Sequence, residues 1–91
     1  LHLAAVRGDL AAVKLLIRYG ATIDIRTKNG ITPLYFACLY GNYSVASALL
    51  RAGADPNKGD DFGRCPIHGA SSARRKPTEI ISLLLQHGAN I

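Results

Sequence analysis

Apolar positions along the chain come in short bursts that recur. "LHLAAVRGDLAAVKLLIRYGA" and "LYFACLYGNYSVASALLRAGA" match position for position, with Gly8 over Gly41 and Gly20 over Gly53. Leu1, Leu34 and Ile67 open successive copies at intervals of 33 residues. The third copy, "IHGASSARRKPTEIISLLLQHGA", takes two extra residues before Gly88 regains the register. Self-similarity at such a period marks an array of stacked supersecondary units.

Each copy predicts two helices. Leu34 to Tyr40 forms the first, with Pro33 in its opening turn, where a missing N–H costs nothing. Gly41 breaks it, and Asn42 offers an N-cap for a second helix over Tyr43 to Ala52, as Asp9 does in the first copy. Val45, Leu49 and Leu50 form one apolar stripe on that second helix. Gly53 follows, where a left-handed residue closes a helix C-terminus. The linkers "DIRTKNGIT" and "NKGDDFGRC" carry Gly30 and Gly63 at matching places and read as hairpin-like turns projecting from the helices. The third copy lacks the inter-helix glycine, so "SSARRKP" predicts a longer, looser connection, with Pro77 near the start of the last helix.

One helix pair cannot bury its apolar stripe alone, so neighbouring pairs must stack. The predicted seam places Leu3, Ala4, Leu15 and Leu16 against Leu34, Ala37, Val45, Leu49 and Leu50. These pack in turn on Ile67, Ala70, Ile80, Ile81 and Leu84. Small residues at Ala4, Ala5, Ala37, Cys38 and Ala70 let the first helices approach closely. The last helix, "IISLLLQ", stays apolar where terminal repeats normally turn polar. The segment is therefore expected to belong to a longer array whose flanking repeats cover both ends.

These residues carry a resemblance. "GITPLYFA", "LLRAGADPN", "LHLAAVRGD" and "LLLQHGAN" resemble the ankyrin repeat over essentially the whole chain. The resemblance implies an all-α solenoid of stacked helix-turn-helix pairs with projecting β-hairpin-like turns. Its repeats are expected over about 1–29, 30–62 and 63–91. The first is incomplete at its N-terminus. Departures fall on the Thr-Pro-Leu-His tetrad: Tyr35 stands where His is usual, and Cys65 where Thr is usual. The tie these residues make at the helix start is expected to be weaker here.

The resemblance also implies a function, non-enzymatic binding of a protein partner along the hairpin tips and the concave helix surface. Mapped onto this chain, that surface comprises Arg26, Lys28, Asn29 and Ile31 on the first finger and Asp61, Phe62 and Arg64 on the second. Leu39 and Tyr40 add to it at a helix end. Phe62, an aromatic in a polar turn, reads either as a partner anchor or as packing on the neighbouring finger. Asn57 matches the position at which ankyrin proteins can be substrates of an asparaginyl hydroxylase, although Pro56 departs from the usual aliphatic neighbour. Its main expected role is to tie the hairpin backbone. "TPLYFAC" followed by an irregular repeat is also similar to the ankyrin arrays of SOCS-box proteins, which recruit substrates to ubiquitin ligases. An appendage of a larger enzyme or ion channel is the other alternative.

Composition narrows the partners. The 91 residues are 48% apolar and 19% charged, which favours an ordered chain. No apolar run nears the roughly 18 residues of a membrane span. With only Cys38 and Cys65, in unrelated contexts, both thiols are expected to be reduced, in a cytoplasmic or nuclear protein. The formal net charge of +5 biases weakly toward acidic partners. Arg74-Arg75-Lys76 is the one dense basic cluster and reads as a solvated inter-helix loop. The other basic residues are scattered, which argues against a nucleic-acid stripe.

Candidate chemistry is sparse, and no cofactor is expected. Cys65-x-x-His68 has half the spacing of a zinc site, but no second ligand pair is at hand. The pair reads better as the Thr and His positions of the repeat. Cys38 falls in a buried alanine column, where thiols are inert. The one glutamate, Glu79, has no carboxylate partner on its face. No glycine-rich loop fits a phosphate-binding fingerprint.

Overall fold

In the computed structural model, which describes residues 1–90, the backbone turns where glycine and proline predict. The helices are α1 (His2–Arg7), α2 (Leu10–Arg18), α3 (Pro33–Leu39), α4 (Tyr43–Arg51), α5 (Pro66–Ser72) and α6 (Pro77–Gln86). Pro33, Pro66 and Pro77 sit in the first turns of α3, α5 and α6. Asp9 Oδ1 accepts the N–H of Ala12 at 3.0 Å and caps α2. Thr32 Oγ1 accepts that of Tyr35 at 3.4 Å and caps α3. Gly41 takes φ 69° between α3 and α4, a left-handed conformation that costs an L-residue about 1–2 kcal/mol.

The helices form two layers. α1, α3 and α5 pack side by side as the inner layer, and α2, α4 and α6 as the outer one. Ala5, Ala37, Cys38 and Ala70 are fully buried between the inner helices, so small side chains do set their close approach. Val13, Val45, Ala46, Leu49, Ile80 and Leu84 fill the outer seam. Burying a side chain of leucine or isoleucine size contributes about 1.5–3 kcal/mol. Cys38 is enclosed, and burial pushes its thiol pKa up to about 12, which keeps it protonated and inert.

The first repeat corrects the predicted seam. Leu3, Leu15 and Leu16 are 62%, 54% and 38% exposed, while Ala5 and Val13 are buried. The cause is positional: among the described residues no helix pair precedes α1 and α2, whereas α4 packs on α2 and α6 packs on α4. Leu16 is the counterpart of Leu49 and Leu84, which sit on helices with a pair before them and are fully buried.

Two local predictions also change. Asn42 does not cap α4 with its side chain. Its amide instead donates to the carbonyls of Ala5 and Val6 in the preceding repeat. The connection through "SSARRKP" is longer, as expected, but it is docked rather than loose. Ala73 is buried. A Cβ added to Gly41 would lie 2.5 Å from the Arg75 carbonyl oxygen, so that backbone is seated against the α3–α4 turn. Without an inter-helix glycine, Lys76 itself takes the left-handed conformation, φ 50°.

The weakened tetrad holds in part. His68 Nδ1 accepts the N–H of Cys65 at 2.8 Å, and His2 Nε2 bonds the Ile31 carbonyl at 2.9 Å. Among the described residues the Tyr35 side chain has no such bond. Its ring lies over Gly69, where a Cβ would come within 3.2 Å of Tyr35 Cε2. Packing replaces a hydrogen bond there.

Candidate protein-binding surface

The two projecting turns are built alike. In the first finger Thr27 N–H donates to the Ile31 carbonyl at 2.9 Å, and Gly30 N–H to that of Thr27 at 2.8 Å. In the second Asp60 N–H donates to the Arg64 carbonyl at 2.9 Å, and Gly63 N–H to that of Asp60 at 3.0 Å. A side-chain acceptor braces each turn from inside. Thr27 Oγ1 takes the N–H groups of Asn29 and Ile31, and Asp60 Oδ1 takes those of Phe62 and Arg64. Thr27 and Asp60 occupy the same repeat position, a shared acceptor in the sequence that went unread.

The fingers are also tied to each other. Asp61 N–H donates to the Asn29 carbonyl at 3.0 Å, and Arg26 donates to the Gly59 carbonyl at 3.1 Å. Arg26 and Asp61 lie 3.6 Å apart as an exposed ion pair, of small energetic weight. The backbone bond and the Arg26–Gly59 bond therefore do more to set their spacing. Below the tips, the Asp24 carboxylate accepts the N–H of Asp55 at 3.1 Å. Asn57 repeats the device, donating to the Gly88 carbonyl at 3.1 Å and accepting Asn90 N–H at 2.8 Å. Both ends of its amide thus tie the second linker to the backbone that follows α6.

Asp60 and Arg64 order the second finger. Burial alone would raise the Asp60 pKa. The N–H and guanidinium of Arg64, with the N–H of Phe62, more than offset this and hold it below the usual carboxylate range. Arg64 Nε donates to Asp60 Oδ2 at 2.7 Å. The guanidinium carbon stands 5.3 Å from the centre of the Phe62 ring and 5.8 Å from that of Tyr35. Phe62 is 74% exposed, and the Arg64 guanidinium of its own finger stands over its ring.

The predicted site residues divide into two groups. Arg26, Lys28, Asn29, Asp61, Phe62 and Arg64 are exposed on the fingers, with Ile31 half-buried at their base. Leu39, half-buried, and Tyr40, 49% exposed, lie at the opposite end of α3. A helix of that length separates the groups by about 10 Å. The structure thus assembles the fingers into one unit and leaves the α3 end as a second.

Stacked helix pairs with paired fingers define a repeat-scaffold protein, a class whose members serve as protein-interaction modules. A family model described as "Ankyrin repeats (3 copies)" matches residues 1–91. The chain belongs to the ankyrin repeat family. It is 39% identical over 90 residues to mouse "Ankyrin repeat and SOCS box protein 5", covering 99% of this chain and 26% of that protein. Over 66 residues it is 44% identical to mouse "Protein phosphatase 1 regulatory subunit 27", covering 72% of this chain and 43% of that protein. The ankyrin repeat domain of human ASB11 superposes with a TM-score of 0.89 at 34% identity, covering 98% of this chain and 39% of that one. The chain thus spans about a quarter of the first relative and less than half of the second.

Proposed function

We propose that this segment is a non-enzymatic module that holds a protein partner against its finger tips and the exposed ends of its inner helices. Phe62 carries the reading. A large aromatic ring stands in solvent on a finger that is braced by Asp60 and tied to its neighbour. Exposed aromatics on rigid supports are the usual anchors of protein interfaces, because little side-chain entropy is lost when they are covered. Arg26, Lys28, Asn29, Ile31, Asp61 and Arg64 surround that anchor, and Leu39 and Tyr40 extend the surface. Flanking repeats of a longer array would continue it and cover Leu3, Leu15 and Leu16. Asn57 is foremost an ordering residue in this reading, and mass spectrometry of the protein from cells tests whether it is also hydroxylated.

A photoreactive phenylalanine analogue placed at position 62, 40 or 19 tests the proposal. Tyr19 is 81% exposed on the outer layer and serves as the control site. Crosslinks to one protein from positions 62 and 40, absent from position 19, are expected. The same products from position 19, or none from 62 and 40, would refute it.

The likeness to "Ankyrin repeat and SOCS box protein 5" favours one more specific reading, in which the bound partner is a substrate delivered for ubiquitination. It predicts that ubiquitination of the crosslinked protein falls when this protein is depleted. Unchanged ubiquitination would remove it and leave the binding role intact.

A further inference from the structure

Charge is segregated on this fold. The inner helices read HLAAVR, PLYFACL and PIHGASS and carry no acidic residue. The acids lie elsewhere: Asp9 caps α2, Glu79 is on α6, and the rest are in the hairpin segments. Arg7 closes the C-terminal end of α1, and the basic run from Arg74 to Lys76 follows that of α5. Among the described residues neither Arg74 nor Arg75 has an ion-pair partner.

A cleft opens at the same place. It has a volume of about 370 Å³ and is lined by Leu39, Tyr40, Ser72, Arg74 and Arg75. Leu39 and Tyr40 supply an apolar wall at the end of α3, and the arginines form a cationic rim. The rim has a fixed base, because the Arg75 backbone is seated on Gly41 and Ala73 is buried. A cationic rim presented from a fixed backbone costs less ordering on binding than a free loop would.

We propose that this cleft receives an apolar side chain from an acidic peptide segment of the partner protein, with flanking carboxylates paired to Arg74 and Arg75. The proposal rests on the protein-binding reading above and names the chemistry of what is bound. The unpaired arginines, the acid-free inner helices and the apolar wall each select for one part of such a segment. A purely anionic ligand leaves the Leu39–Tyr40 wall unused. A purely apolar one leaves the arginines uncompensated.

The test is selection of a random dodecapeptide library on the protein, followed by affinity measurement with the synthetic consensus peptide. The expected consensus has an aliphatic or aromatic residue flanked by aspartate or glutamate. Its binding should weaken with added salt. An Arg74→Glu/Arg75→Glu double variant should bind it roughly tenfold or more weakly, with unchanged thermal melting. Ser72→Trp, which fills the cleft from an exposed position, should also weaken it. A consensus without acidic residues, an affinity indifferent to both variants, equal binding of oligoglutamate or single-stranded DNA, or no enrichment would each overturn the proposal. Peptides that lose affinity in Tyr40→Ala or Phe62→Ala but ignore the arginines would overturn it and leave the protein-binding reading standing. That broader reading fails separately, in the crosslinking from position 62.

Discussion

The side-chain amide of Asn42 donates to the Ala5 carbonyl at 2.7 Å and to the Val6 carbonyl at 3.2 Å, joining the start of α4 to the end of α1. The last carbonyls of a helix lack an i+4 N–H partner. The Ala5 carbonyl accepts the Gly8 N–H at 3.3 Å and the Asn42 amide besides, and the Val6 carbonyl accepts the same amide. A donor is therefore required at this position. Asn42→Asp should destabilise the protein by about 1–3 kcal/mol, since it sets a carboxylate against two carbonyls. Aspartate is as good an N-cap as asparagine, so a capping role predicts almost no change. Urea denaturation separates the two outcomes.

Leu49 and Leu16 occupy the same place in successive repeats but differ in environment, 0% against 38% exposed. Leu49→Ala should cost on the order of 2–5 kcal/mol, because it leaves a cavity between layers. Leu16→Ala in this segment should cost clearly less, about 1 kcal/mol, since part of that side chain already meets water. Equal losses in chemical denaturation would show that the first repeat is enclosed as the second is.

What the sequence conveyed and what it withheld divide along one line. Helix starts and stops were legible because Pro33, Gly41 and Asp9 act on their immediate neighbours. Leu16 and Asn42 were misplaced because their environment depends on the repeat alongside, which the 33-residue register locates but does not describe. A repeat pattern says which position faces a neighbour, not whether a neighbour is there. The cross-finger bond between Arg26 and Gly59 was invisible for the same reason. Asp60 could have been found, since it shares the repeat position of Thr27 and both types accept backbone N–H groups in turns. The docking of Arg75 on Gly41 could not. It arises from an insertion that breaks the period.

Phe62→Ala should weaken binding of the crosslinked partner by about 2 kcal/mol, a hot-spot loss. The folded state should lose little, about 0.5–1 kcal/mol at most, because the ring is mostly in solvent and its stacking with Arg64 is exposed. Calorimetric titration and thermal melting on one preparation give both numbers. Matching losses would assign Phe62 to packing rather than recognition.

Asp60 makes the second finger a source of acid sensitivity. Its carboxylate accepts the N–H groups of Phe62 and Arg64 and pairs with the Arg64 guanidinium, and its pKa is lowered in the folded protein. A carboxyl whose folded pKa lies below its unfolded value adds stability that is fully present above the unfolded value, about 3.9. That contribution is lost as the pH falls from there through the folded pKa. Asp60→Asn has no carboxylate to protonate at this position. Its stability should therefore fall less between pH 5 and pH 2.5 than that of the unaltered protein, while at pH 7 it should be the less stable of the two. Denaturant titrations at the three pH values measure both differences. Parallel pH profiles would place the acid sensitivity in other carboxylates and leave Asp60 with only the turn-bracing role of its Thr27 counterpart.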